Sequence, residues 1–393
     1  MPQLSKFIIY EYNKQNKDLI VEELEDDGYG FIVPLTDKIT INEDYFLNAK
    51  KGLLIDISIL VSDDERAIFH FALIENLMNN ILQNNLENLW HLIVNRRYTY
   101  IVNDLFGYRI EKVKSLESYF NVSIPENTNV VDIRDKDFDD LMTHIRYELV
   151  GHSKYKDMLE EELRKFRVFN KLGYQPVFST LIMGNSGIGK TELARILHRN
   201  LSTTEPFIKI NFGNYNDQNA LSSLIGSPRG YVGSSKGELS DKLSNSKSNV
   251  ILIDEFEKSN KSVQNFFLQL LEDGVFTDSL GRDYDLNKYM IIFTANVLRD
   301  KVAKKFSPEL ISRFNLVYSF STLNLGEKEE YVGKRLEKIR KDVKEKLNID
   351  FKDTTIQNIL DFDYKKYENM RDINSQLMKR ISDELYPIVY GRE

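Results

Sequence analysis

Apolar and polar positions change their rhythm along the chain near residue 140. Over the first 60 residues the apolar runs are short and broken by turn residues such as Asp27-Gly28, which predicts strands at Phe7–Tyr12, 19–24, 30–35 and 53–61. Ser62 and Glu65 then form a capping-box pattern that opens a helix. Its apolar residues Ile68, Phe71, Ala72, Leu77, Met78 and Ile81 recur at helical spacing, and a second apolar stretch covers 86–94. The aromatic and Met residues here, Trp90 included, read as core. From about residue 148, strands alternate with helices, as in a parallel α/β sheet. The apolar runs 177–183, 207–210, 250–253 and 290–293 read as strands buried on both faces. From about 322 the chain is helical and highly charged, with 334–346 as one amphipathic run. The expected architecture is a separate α+β domain over 1–140, an α/β core with a parallel sheet over 148–321, and a C-terminal helical lid over 322–393.

With 393 residues and 41% hydrophobic content, two or three soluble globular domains are expected. The absence of cysteine excludes disulfides, thiolate metal sites and a cysteine nucleophile. The five histidines are scattered without ligand spacing, so none is assigned to a metal. The first residues reach charge too soon for a signal peptide, and no apolar run approaches the ~20 residues of a membrane helix. A soluble, cytoplasmic protein without a membrane partner is expected. The net charge of −7 is uneven: residues 1–140 carry 14 Lys and Arg against 25 Asp and Glu, a balance of −11, and the remainder carries +4. Phosphate backbones are bound by clustered Lys and Arg, so this acidic first domain argues against a nucleic-acid partner and suits a protein partner. Residues 1–140 show no catalytic motif.

Gly184-Asn185-Ser186-Gly187-Ile188-Gly189-Lys190-Thr191 fits G-x-x-x-x-G-K-[ST] between a predicted strand and a predicted helix. Glycines let backbone N–H groups wrap phosphates, and the helix N-terminus adds a favourable dipole. Lys190 is placed to reach the β- and γ-phosphates, and Thr191 to hold magnesium. Some 60 residues later four apolar residues, Val250 to Ile253, run into Asp254 and Glu255. That puts two carboxylates at the C-terminal end of a buried strand, where open α/β sheets bind ligands. Asp254 is the candidate for the magnesium shell and Glu255 for activating the attacking water. ATP and Mg²⁺ are the cofactors these motifs call for.

From Leu149 to the C-terminus the chain resembles the second ATPase module of the Clp disaggregases and unfoldases, which are AAA+ P-loop NTPases. Leu149-Val150-Gly151-His152 is similar to the segment that packs against adenine in that family. The run from Leu224 to Gly233 resembles the family's pore loop, which implies that Tyr231 and Val232 grip substrate. Thr294-Ala295-Asn296 resembles the first sensor, with Asn296 reporting on the γ-phosphate. The Pro308–Phe314 run resembles the arginine-finger box, with Arg313 as finger. Arg371 falls where the family has its second-sensor arginine, although Gly-Ala-Arg-Pro is reduced here to Asn-Met-Arg-Asp.

The resemblance implies an ATP-hydrolysing protein remodeller that forms a homo-oligomeric ring, a hexamer, and threads polypeptide past Tyr231. The acidic first domain is then expected to dock a substrate or effector protein. Only one ATPase motif set is present, and the eleven residues between Asn296 and Pro308 leave no room for the family's protease-docking insertion. No Clp peptidase partner is therefore expected. The alternative is an ATP-dependent switch or assembly factor that controls an effector without threading.

Overall fold

The computed structural model describes residues 6–12, 17–33, 51–62, 64–86, 88–121, 128–202, 205–215, 219–227 and 237–391. The chain divides into two compact units. The first comprises residues 1–127 with the short segments 203–206 and 240–248, and the second comprises 128–202, 207–239 and 249–393.

The first unit is built on five strands: β1 (Phe7–Tyr12), β2 (Tyr29–Ile32), β3 (Gly52–Asp56), β4 (Trp90–Asn95) and β5 (Ile110–Ser115). They pair in the order β2-β3-β4-β1-β5, and every pairing is parallel. A separate domain mixing helices and strands was expected, but its arrangement is α/β rather than α+β. The strand expected at 19–24 is the helix Lys17–Asp26. Its buried Ile20 and Leu24 stand one helical turn apart, a spacing the β-branched pair Ile20-Val21 disguised. The run expected over 53–61 ends as a strand at Asp56, and the stretch 86–94 contributes β4. Helix Phe71–Gln83 buries Ile74, Leu77, Met78 and Ile81, which pack with Leu53, Ile55, Leu92 and Val94 of the sheet.

In the second unit β6 (Phe178–Met183), β7 (Ile208–Asn211), β8 (Val250–Asp254), β11 (Met290–Ala295) and β12 (Leu316–Ser319) form a parallel sheet ordered β12-β6-β11-β8-β7. The short β9 (Val275–Thr277) and β10 (Asp283–Asp285) make an antiparallel hairpin of their own. All six residues of β6 and of β11 are buried, as strands covered on both faces must be. Helix Asp135–Glu148 contributes Phe138, Leu141, Met142 and Ile145 to the same core. The helical lid begins at Leu325–Leu347, opened by a capping box between Asn324 and Glu327. Val332, Leu336, Ile339 and Val343 of that helix pack on Ile373 and Leu377 of the last helix, Met370–Tyr390. Among the described residues no helix is long and apolar enough to cross a membrane.

Candidate functional site

β6 delivers the chain into the glycine-rich loop, and helix Glu192–Leu201 leaves it. Gly184, Gly187 and Gly189 have φ of +127°, +76° and +95°, a region that side chains other than glycine's disfavour. The loop can wrap an anion with its backbone only because these three residues are glycines. Lys190 is buried, and its ammonium donates to the carbonyls of Gly184 (2.8 Å) and Asn185 (2.6 Å) and to Asn296 Oδ1 (2.9 Å). Burial lowers its pKa to about 8, although the nearby charges of Glu257, Asp254 and Glu255 pull it back up. A partly desolvated cation therefore stands at the base of the loop.

Asp254, the last residue of β8, lies beside it across the sheet. Burial alone would raise its pKa. The hydrogen bond from Thr294 Oγ1 (2.5 Å) and the ion pair with Lys209 (2.9 Å) outweigh burial and hold the carboxyl below its usual range. Glu255 follows with φ of +56°, a left-handed backbone that costs a non-glycine residue about 1–2 kcal/mol. The next residue, Phe256, is buried against Phe293 and stacked on Phe306, and that anchorage holds the turn. Glu255 Oε2 accepts from Lys258 Nζ at 2.7 Å. The backbone N–H of Asn296 donates to Glu257 Oε2 (3.0 Å), which fixes the loop after β11.

On the other side, His152 stacks on Phe320 with ring centroids 3.7 Å apart and contacts the Ile188 carbonyl through Nε2 at 3.1 Å. Burial lowers its pKa, which favours the neutral ring. Gly151 has φ of +72° and packs so closely on Leu323 that a Cβ would overlap it. Leu149 and Val150 thereby line an apolar end of the cleft together with Leu323 and Tyr331. The lid closes on the phosphate loop directly. Met370 N–H donates to the Gly187 carbonyl (2.9 Å), and Arg371 Nη1 donates to Ser186 Oγ (3.2 Å).

These groups border one cleft of about 830 Å³, within the usual range for small-molecule sites. Lys190, Thr191, Asp254, Glu255, Asn296, Arg371, Leu149 and Val150 all face it, so residues distant in sequence converge as expected. Arg313 does not face it: its guanidinium pairs with Glu272 at 2.9 Å, both side chains well exposed. Tyr231 and Val232 lie outside the described residues. Sequence reasoning missed Lys209, the contact of Thr294 with Asp254, and the basic side chains Lys334, Lys338 and Lys341 that the lid helix turns to the cleft. Lys209 carries no motif, and Thr294, which opens the Thr294-Ala295-Asn296 run, carries no local signal of its hydrogen bond to Asp254. The basic residues fall in the amphipathic run 334–346, whose charged side could have been assigned to an anion.

Residues 175–356 match the family model described as AAA domain (Cdc48 subfamily). The chaperone protein ClpB of Malacoplasma penetrans is 28% identical over 258 residues, covering 62% of this chain and 37% of that protein. The ATP-dependent Clp protease ATP-binding subunit ClpE of Lactococcus lactis is 27% identical over 284 residues, 66% of this chain and 37% of that one. The negative regulator of genetic competence ClpC/MecB of Bacillus subtilis is 30% identical over 272 residues, covering 60% and 34%. The matched region thus spans little more than a third of these relatives' length. In fold, the chain is similar to a closed-state cryo-electron microscopy reconstruction of Hsp104 with ATPγS and FITC-casein. The TM-score is 0.53 at 18% identity, covering 97% of this chain and 87% of that one.

Proposed function

Because the chain belongs to the Clp-family AAA+ ATPases, we propose that it hydrolyses ATP to remodel polypeptides as a homo-oligomeric, hexameric ring. The observation that carries this reading is the position of Arg313. The cleft already holds a buried lysine, two carboxylates and Arg371, yet the arginine of the finger box is exposed and paired with Glu272. A side chain so placed serves the cleft of a neighbouring copy, which ties hydrolysis to assembly.

The residues fit the cofactors. The glycine loop and Lys190 suit the β- and γ-phosphates, the apolar end formed by Leu149 and Val150 suits an adenine, and Arg371 at Ser186 suits the γ-phosphate from the lid side. Thr191 caps its helix without spending its hydroxyl on the cap, and the ionised Asp254 carboxyl would offer Oδ2 once the half-exposed Lys209 moves aside, so two hard oxygen donors suit magnesium. Magnesium held there by Thr191 and Asp254 together with ATP would supply positive charge that offsets the charge on the transferring phosphoryl group. Glu255 accepts a proton from the attacking water, Asn296 positions that water and the γ-phosphate, and Lys190 offsets charge on the phosphoryl group. Displacement of Lys258 from Glu255 and of Lys209 from Asp254 accompanies nucleotide entry.

Tyr231 and Val232 grip the polypeptide in this proposal, and the acidic first domain docks a substrate or effector protein. The chain works in the cytoplasm and without a Clp peptidase. The test is subunit mixing. Glu255→Gln should retain ATP and stay assembled, with turnover reduced by about 10²–10⁴-fold. Arg313→Ala should lose turnover as well, and mixed rings of the two variants should regain part of it. No recovery at any mixing ratio would overturn the role in trans. A ring that hydrolyses ATP but moves no model substrate would favour the switch-like assembly factor instead.

A further inference from the structure

The two parallel sheets have one topology. Numbered within each unit, both strand orders read 5-1-4-3-2 once the hairpin strands β9 and β10 are set aside and the second unit's order β12-β6-β11-β8-β7 is compared with β5-β1-β4-β3-β2. Register makes the correspondence residue by residue. In the second unit Ile253 pairs with Phe293, which pairs with Leu181. In the first, Ile55 pairs with Leu92, which pairs with Ile9. Counting on from these rungs, Asp56 stands where Asp254 stands, Asn95 where Asn296 stands, and Tyr12 where Gly184 opens the phosphate loop. Even the strand sequences leading to the acids match: Leu54-Ile55-Asp56 and Leu252-Ile253-Asp254.

The chemistry at these positions differs in a consistent way. Ile57, fully buried, replaces Glu255, so the position that would supply the base carries an apolar side chain. Phe31 takes the rung of Lys209. Between Tyr12 and Lys17 there are four residues and no glycine, whereas Gly184 to Lys190 spans one residue more and includes two further glycines. Asp56, only 2% exposed, has both oxygens occupied from within. Oδ2 accepts from Tyr12 Oη (2.6 Å) and Lys17 Nζ (3.1 Å), and Oδ1 accepts from Ser58 N (3.0 Å) and Ser58 Oγ (2.5 Å). Ser58 Oγ in turn accepts from Asn95 N–H at 2.7 Å. Lys17 also lies over the Phe31 ring, 5.0 Å from its centroid. Burial and the Asp56 charge push the Tyr12 phenol up, so it stays a neutral donor at any physiological pH. Where the second unit has an open cleft, in the first Tyr12, Lys17, Phe31 and Leu54 surround only a small gap with no room for a water molecule.

We propose that the first unit is a nucleotide-blind copy of the ATPase fold, in which Tyr12 and Lys17, bound to Asp56, occupy the place of the phosphates and magnesium. The lysine that would face a phosphate neutralises the carboxylate that would face the metal, and the phenol fills the space the first glycine would leave. The unit is therefore held in one conformation whatever nucleotide the second unit carries. It serves the chain as a fixed platform and not as a second motor.

Titration of the full chain with ATPγS by calorimetry should give one nucleotide per chain, and Lys190→Ala should remove it. Hydrogen exchange should show ATPγS-dependent protection in peptides covering 184–191 and none in peptides covering 7–20 or 52–62. Lys17→Met and Tyr12→Phe should lower the melting temperature of the first unit by several degrees while ATP turnover stays within about twofold. A second equivalent of nucleotide, retained in Lys190→Ala and lost in Lys17→Met, would overturn the proposal, as would nucleotide-dependent protection at 52–62. Absence of all nucleotide binding would sink the ATPase reading of the second unit and leave this one standing.

Discussion

Asn369 of the lid lies so close to Gly187 of the phosphate loop that a Cβ added to Gly187 would overlap its side-chain amide. The same asparagine caps the last helix by accepting from Arg371 N–H at 2.8 Å, so cap, Arg371 and phosphate loop form one contact. Gly187 also has φ of +76°, where any side chain is strained. Gly187→Ala should therefore displace the lid as well as distort the loop. ATPγS affinity is expected to fall by at least tenfold, with turnover lost, while far-UV circular dichroism stays that of the parent. Asn369→Ala combined with Gly187→Ala should restore part of the affinity, because the overlap is removed and only the backbone strain remains.

Lys190 makes nucleotide binding pH-dependent. Its pKa is lowered by burial to about 8, below the ordinary lysine range, so in the empty site it loses its proton within an accessible window. Bound phosphate favours the charged form and raises this pKa, so binding takes up a proton there. Affinity for ATPγS should be flat below pH 8 and fall above it, by at most about tenfold per pH unit. For folding the sign is opposite: the unfolded chain holds this proton up to about pH 10.4, so stability attributable to Lys190 rises between pH 8 and that value. Calorimetric titration between pH 7 and 9.5 checks the first statement. An affinity unchanged across that range would show that the lysine stays charged in the empty site.

The boundary at 127–128 matters for dissection. Val130, Val131 and Phe138 are fully buried in the core of the second unit, together with Leu141, Met142 and Ile145 of helix Asp135–Glu148. A truncated chain starting at Leu141 loses three of these side chains. Removing one buried phenylalanine alone costs about 3–5 kcal/mol. Such a chain should melt well below one that begins at Thr128, with weaker nucleotide binding to match. Equal melting temperatures for the two truncations would show that residues 128–140 add nothing to the ATPase core.

Tyr231 tests remodelling apart from hydrolysis. An aromatic contact with an extended chain contributes about 1 kcal/mol beyond area burial, so grip requires several subunits together. Tyr231→Ala should leave ATP turnover within a few-fold and abolish unfolding of a fluorescent model substrate. Unchanged unfolding would remove the gripping role.

What the sequence determined by itself is whatever is encoded in contiguous residues. The run Gly184 to Thr191 specifies its own backbone, because three glycines and a following helix make an anion cradle wherever they occur. The acids after Val250–Ile253 are placed by the strand before them. The first lid helix follows in the same way from Val332, Leu336, Ile339 and Val343, which repeat at helical spacing and form its buried face. The helix Lys17–Asp26 shows the limit of this: ten residues with adjacent β-branched side chains satisfy two periodicities, and packing of Ile20 and Leu24 decided between them. Tertiary structure alone decided the pairs that join distant segments: Lys209 with Asp254, Thr294 with Asp254, Asn369 against Gly187 and Tyr12 with Asp56. It alone decided the strand order that makes the two sheets alike. Strand pairing is settled by long-range packing and hydrogen bonding, which leave no local signature, so two units with unlike loops can share a topology that neither sequence displays.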